Sequence, residues 1–194
     1  TPHWHTIPMG SNDGDNFIII TLVDGGLGDD DLTANGRIAD TGGPATTCIV
    51  PVDNLIINSD TLLCPGTYAI NDTDSFGIIK INASNVNLIC NGTLITGFDY
   101  GRGISNIGYD NVTINGCNVD NYDYGILISD SDSNTIFNTR LRLNDYGVYT
   151  TNSHRNNISN NRVWTNDLYG IYNFNTSLTI FDSNQISFGN EKGM

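Results

Sequence analysis

The chain has 194 residues, 38% of them apolar, enough for one large domain or two small ones with real cores. Eight Lys and Arg stand against 21 Asp and Glu, a net charge of −13, which argues against nucleic acid and anionic membranes as partners. No apolar run approaches the length that spans a bilayer.

Asp, Asn, Gly, Ser and Thr dominate the polar positions, and these residues favour turns and disfavour helix interiors. No long stretch keeps a 3.6-residue apolar period, so the expected fold class is all-β. Residues 1–47 read as a small N-terminal β segment. Within it "NFIIITLV" is a β-branched strand and "GGLGDDDLTANG" its acidic loop, and the Gly/Pro cluster at 42–44 marks a junction. Asp24, Asp29, Asp30, Asp31 and Asn35 supply hard oxygen ligands among glycines. That is calcium chemistry without EF-hand spacing, or else a solvated acidic turn. "HWH" places His3 and His5 on one face of a strand, a metal pair or edge decoration, with His154 far along the chain. The chain opens on Thr1, which suggests a removed leader or an excised fragment.

From residue 48 onward the sequence repeats. Gly77, Gly103, Gly125, Gly147, Gly170 and Gly193 are separated by 26, 22, 22, 23 and 23 residues. Leu88, Ile114, Ile136, Ile158 and Ile180 are separated by 26, 22, 22 and 22. Leucine-rich repeats have a near period, but their dense Leu pattern is absent. A parallel β-helix of about five coils over residues 48–194 fits instead, with short strands stacked at one strand spacing per coil. Leu88/Ile114/Ile136/Ile158/Ile180, Ile104/Ile126/Val148/Ile171 and Val119/Leu141/Val163 are then inward columns. The glycines need positive φ or leave room for close stacking at a corner. Asn138, Asn160 and Asp182 share one phase, and Thr139, Asn161 and Ser183 the next, where stacked amides bond from coil to coil.

Three further rows invite functional readings. Tyr124, Tyr146 and Tyr169 precede the glycines, as corner packing or a sugar-binding platform. Asp123, Asp145 and Asp167 are turn caps, a calcium row, or a carboxylate pair of the kind polysaccharide hydrolysis needs. Arg140, Arg142, Arg155 and Arg162 form a basic groove or pair with neighbouring Asp. No nucleophilic triad, phosphate loop or dinucleotide fingerprint occurs.

The four cysteines, at 48, 64, 90 and 117, show no Cys-x-x-Cys pair that would suggest zinc. Of three connectivities, Cys48–Cys64 and Cys90–Cys117 are predicted, since the first pair closes a short segment and the second lies about one coil apart. Glycosylation sequons fall at Asn71, Asn82, Asn91, Asn111, Asn157 and Asn175. Together with the even cysteine count they point outside the cytoplasm.

The run from "CIVPVDNLIINSDTLLCPGTYAI" through "NVNLICNGTLITG" to "NVTINGCNVDNYDYGILISDSDSNTIFNTRL" resembles the NosD-type β-helix repeats of archaeal and bacterial surface proteins. Its marks are Cys48, Cys64-Pro65-Gly66, Cys90-Asn91-Gly92 and the stretch Asn111 to Cys117. The resemblance covers 48–193 and implies a right-handed parallel β-helix; it leaves function broad. Residues 20–44 are similar to a segment of choice-of-anchor surface proteins, which implies a module boundary within a longer exported chain.

The expected function is an extracellular structural or assembly protein: a surface-layer, sheath or fibre subunit. An uncapped solenoid end would polymerise head to tail, with residues 1–47 docking on a neighbour's last coil. The alternative is a β-helix that binds or cleaves cell-surface polysaccharide. No enzymatic activity and no cofactor beyond calcium are expected.

Overall fold

The computed structural model of the chain describes residues 48–187. The acidic loop with Asp24, Asp29, Asp31 and Asn35, the His3/His5 pair and Gly193 lie outside that range, as does the choice-of-anchor-like segment.

Short strands follow one another around six coils. The first holds β1 (Leu55–Ile57), β2 (Thr61–Leu62) and β3 (Thr67–Ala69), the second β4 (Ile79–Ile81), β5 (Asn87–Ile89) and β6 (Leu94–Thr96). The third and fourth hold β7 (Arg102–Ile107), β8 (Thr113–Asn115), β9 (Asn118–Asp120), β10 (Tyr124–Ser129), β11 (Thr135–Phe137) and β12 (Arg140–Arg142). The last two hold β13 (Tyr146–Thr151), β14 (Asn157–Ser159), β15 (Arg162–Trp164), β16 (Tyr169–Phe174), β17 (Ile180–Asp182) and β18 (Gln185–Ser187). Every third strand joins the same sheet, giving three six-stranded parallel sheets: β1-β4-β7-β10-β13-β16, β2-β5-β8-β11-β14-β17 and β3-β6-β9-β12-β15-β18. We call them sheets one, two and three. No helix occurs among the described residues. One coil more than the repeat count predicts is present, because β1–β3 precede the first glycine of the row.

The inward columns explain the stacking. Ile79, Ile104, Ile126, Val148 and Ile171 align in sheet one. Leu88, Ile114, Ile136 and Ile158 align in sheet two, and Ile95, Val119, Leu141 and Val163 in sheet three. All of these except Ile171 are buried. Each fully buried aliphatic side chain contributes about 1.5–3 kcal/mol of transfer free energy.

Two predicted rows slip: Ile79 faces Ile104, so Gly103 falls opposite Ile78 and Gly77 lies one place outside the glycine column, and the Leu88 row fails at its last step. Ile158 pairs with Phe181, and Ile180 is 60% exposed. The step from coil five to coil six is 23 residues in every sheet, since Val148 faces Ile171, Ile158 faces Phe181 and Val163 faces Ile186. The extra residue is Leu168, at the corner where Asn166-Asp167-Leu168-Tyr169 replaces Asn144-Asp145-Tyr146. The glycine row already carried that step of 23. The polar rows shift with it, so Ser183 rather than Asp182 continues Asn138 and Asn160, and Asn184 rather than Ser183 continues Asn161.

Corners turn without loops because single residues take the left-handed conformation. Asn138 (φ 53), Asn160 (φ 55) and Ser183 (φ 51) do so at one corner, and Asn121 (φ 61), Leu143 (φ 55) and Thr165 (φ 56) at another. Asn tolerates that region through local hydrogen bonding, whereas Leu and Thr adopt it at a cost of about 1–2 kcal/mol. Gly77 is also left-handed (φ 114), but the repeat glycines from Gly103 onward serve a different need. A Cβ on Gly125 would lie 2.7 Å from the Gly147 carbonyl oxygen, and one on Gly147 would lie 2.5 Å from that of Gly170. Close stacking of successive coils, not positive φ, selects glycine there.

The corner between sheets two and three is tied in two ways. Covalent bonds hold its early coils: Cys48–Cys64 and Cys90–Cys117, with Cα–Cα distances of 4.7 and 4.8 Å. In later coils the same phase is occupied by Thr139, Asn161 and Asn184. Asn161 Oδ1 accepts from the Thr139 amide at 2.9 Å and its hydroxyl at 2.8 Å, and Asn184 Oδ1 accepts from the Asn161 amide at 3.0 Å. Buried amides thus continue what the disulfides begin.

Candidate functional site

With the aliphatic residues facing in, the chemistry available to a partner lies on the outer faces. Sheet one carries an aromatic ladder. Tyr124 and Tyr146 stack at 5.3 Å, Tyr146 and Tyr169 at 5.8 Å, and Tyr149 and Tyr172 at 5.2 Å, with edge contacts between the two rows. Burial raises the Tyr146 and Tyr149 hydroxyls, and the neighbouring phenols add to it. In this arrangement the rings cover each other's faces. A sugar needs an open ring face, so the ladder packs coil on coil and offers little as a stacking platform.

The Asp row divides. Asp123 Oδ2 accepts from the Gly101 amide at 2.9 Å, a corner cap. Asp145 and Asp167 line a hollow of about 320 Å³ with Asp99, Asn121, Tyr122 and Leu143. Among the described residues no group of three or more His, Cys, Asp or Glu is placed to hold a metal ion.

The arginines also divide. Arg155 pairs with Asp132 at 2.8 Å and Arg142 with the buried Asp120 at 2.7 Å. Burial pushes the Asp120 carboxyl up, against the smaller pull of Arg142. Arg140 and Arg162 sit one above the other in register on β12 and β15, and neither forms a salt bridge among the described residues. The Arg162 guanidinium lies 4.8 Å from the centre of the Trp164 ring. Beside them a groove of about 450 Å³ runs along the corner between sheets two and three, lined by Asn91, Asn115, Asn118, Asn138 and Arg140. Asn115, Asn118 and Trp164 were not singled out from the sequence, and Asn91 and Asn138 were named there only as a sequon and a stacked corner amide. The signal was there, since Asn118, Arg140 and Arg162 recur at steps of 22.

The six sequon asparagines fall on the outside of the coils. Asn71, Asn82, Asn91, Asn111 and Asn175 are exposed and Asn157 is half-buried. Asn82, Asn111 and Asn175 donate their side-chain amides to Asn58, Asn85 and Asn152 of the preceding coil, so a glycan there would share a nitrogen already engaged in a ladder. His154 accepts or donates at Nδ1 with the Ser177 hydroxyl, 2.9 Å away.

Three parallel sheets around an aliphatic interior, with polar corners repeating coil by coil, define a parallel β-solenoid repeat protein. Residues 74–194 match the family described as periplasmic copper-binding protein (NosD), and the chain belongs to that family. The match begins one coil late, because β1–β3 share its geometry without lying in the matched span. No curated protein and no solved structure matches the chain. Two disulfides and a family described as periplasmic agree with a place outside the cytoplasm. No helix of the described residues is long and apolar enough to cross a membrane.

Proposed function

We propose that this chain is a non-catalytic structural module of the cell exterior whose solenoid joins other copies head to tail. The supporting observation is the sixth coil. Strands β16, β17 and β18 each have one unpaired edge among the described residues, and Ile171, Phe181 and Ile186 surround an opening of about 440 Å³ between them. Phe181 is 50% exposed and Ile186 48%. A further parallel coil seated there would extend three aliphatic columns and satisfy three rows of backbone donors and acceptors. Contact between two different faces of one protein is heterologous and propagates as a ring or fibre. Residues 1–47 of a neighbouring copy are proposed to dock near that end.

The reading assigns no hydrolase or lyase chemistry to the chain. Copper chemistry is not assigned either, because the described residues do not suit that metal. All four thiols are consumed in disulfides, Met9, Met194, His3 and His5 lie outside the described range, and His154 has no other imidazole, thiol or thioether among the described residues. The calcium reading of Asp24, Asp29, Asp31 and Asn35 and the glycosylation of the six sequons remain part of the proposal.

Light scattering of the full chain tests the assembly. The expected result is a mass rising with concentration that Phe181→Lys together with Ile186→Lys returns to the monomer. A wild-type monomer at every concentration overturns the reading.

A further inference from the structure

The outer face of sheet three holds three of the chain's eight basic residues within two coils: Arg140, Arg142 and Arg162. Asp120 neutralises Arg142. Arg140 and Arg162 remain, exposed and directly opposite each other on adjacent strands, about 4.8 Å apart along the stack. Like charges opposite each other in a sheet are destabilising. A chain with 21 acidic residues nonetheless leaves both without a carboxylate among the described residues. Among the described residues, then, both guanidiniums are open to a ligand of opposite charge.

The surroundings favour a ligand of a particular chemistry. The corner groove and a smaller hollow of about 280 Å³ share Asn118 and Arg140, so they adjoin; the hollow adds Asp120, Arg142 and Trp164, and Arg162 lies beside both, opposite Arg140. Trp164 restrains Arg162 by a cation–π contact, which lowers the ordering cost of binding through its guanidinium. Nothing lies within 4 Å of where a Cβ on Gly92 would stand, so the groove is open at that point. Asn118 is committed, donating to the Gly92 carbonyl at 2.7 Å. The side-chain amides of Asn91, Asn115 and Asn138 appear in no hydrogen bond of the described network, and each can donate and accept, as a hydroxyl does.

We propose that this groove binds an acidic polysaccharide, with sugar carboxylates on the Arg140 and Arg162 guanidiniums and sugar hydroxyls on the amides of Asn91, Asn115 and Asn138. Guanidinium binds carboxylate through two parallel N–H donors, a geometry that ammonium cannot reproduce. The coil rise of about 4.8 Å is close to the advance of one pyranose along an extended chain, so successive sugars meet successive coils. The net charge of −13 repels polyanions at long range, and the arginine pair overrides this only locally. Attraction is accordingly confined to the groove, and high salt weakens the guanidinium–carboxylate pairs that supply it. A glycan on Asn91 would occupy the same groove, so the unmodified chain is the binding form. The inference does not depend on assembly, which is read by mass, whereas this is read by ligand affinity.

The test is titration of the full, unmodified chain with polygalacturonate at low salt, with neutral dextran and polyglutamate as controls. Polygalacturonate is expected to bind, dextran not to bind, and polyglutamate to bind at least about tenfold more weakly. Arg140→Gln with Arg162→Gln should lower polygalacturonate affinity about tenfold or more, while Arg155→Gln, a different corner, leaves it unchanged. If the double variant melts early, Arg140→Lys replaces it: the charge is kept, the fork is lost and affinity should still fall. Equal binding of polyglutamate, an equal loss in Arg155→Gln, or no binding of polygalacturonate overturns the proposal.

Discussion

Asn161 holds Thr139 of the preceding coil twice, its Oδ1 accepting from both the amide and the hydroxyl, while its Nδ2 donates to the Ile136 carbonyl at 2.9 Å. Both residues are 1% exposed. Asn161→Ala would leave the amide and hydroxyl donors of Thr139 unpaired in the interior, at a cost of about 3 kcal/mol or more. The neighbouring Asn160 is exposed and left-handed, so Asn160→Gly should change stability by less than about 1 kcal/mol. Urea unfolding of both variants measures the difference, and comparable losses would sink the relay.

Glycine at the coil corner should be irreplaceable for a steric reason. Gly147→Ala brings a methyl to 2.5 Å from the Gly170 carbonyl oxygen and 2.7 Å from a Val163 methyl, so coils must separate, costing at least about 2 kcal/mol. Gly92→Ala meets nothing within 4 Å and should lose only the backbone preference at φ +77, about 1 kcal/mol. Thermal melts that rank the two the other way would refute the stacking account.

The corrected register makes a paired prediction. Ile136 is fully buried and Ile180 is 60% exposed, although the period placed them in one column. Ile136→Ala should cost about 3 kcal/mol, and Ile180→Ala less than about 0.5 kcal/mol. Equal losses would restore the column as the sequence suggests it.

Cys90–Cys117 links neighbouring coils and closes a loop of 27 residues. Replacing both by Ser should lower stability by about 3–4 kcal/mol in the chain-entropy model. Non-reducing peptide mapping checks the pairing first; a Cys64–Cys90 peptide would contradict the fold at this corner.

Two carboxylates should respond to pH with opposite signs. Burial raises the Asp120 carboxyl above 3.8, so its contribution to stability is full below that value and is lost as pH rises through the higher folded value. Asp120→Asn should therefore gain on the wild type as pH rises from about 3 to 7. The Asp74 carboxyl is lowered, first by the Phe76 amide and then by Lys80, so its contribution is present above 3.8 and lost below. Asp74→Asn should lose on the wild type over the same rise. Denaturant melts across pH decide both, and parallel curves would remove the electrostatic argument.

The sequence by itself determined the class of fold, the three inward columns up to coil five and the Tyr-Gly corner, because a solenoid repeats its local environment at every turn. Periodicity reports such an environment directly: Ile114, Ile136 and Ile158 are alike because their surroundings are alike. It could not say where a single inserted residue is absorbed. Leu168 displaces everything after it by one, and strand side chains alternate in direction, so Phe181 takes the inward place that Ile180 seemed to hold. Only the tertiary structure decided which outward residues meet. Asn91 and Arg140 are 49 positions apart, in coils two and four, yet line one groove. Likewise, whether an arginine finds its carboxylate depends on side chains crossing between coils, which is why, among the described residues, Arg142 is paired and Arg140 is not.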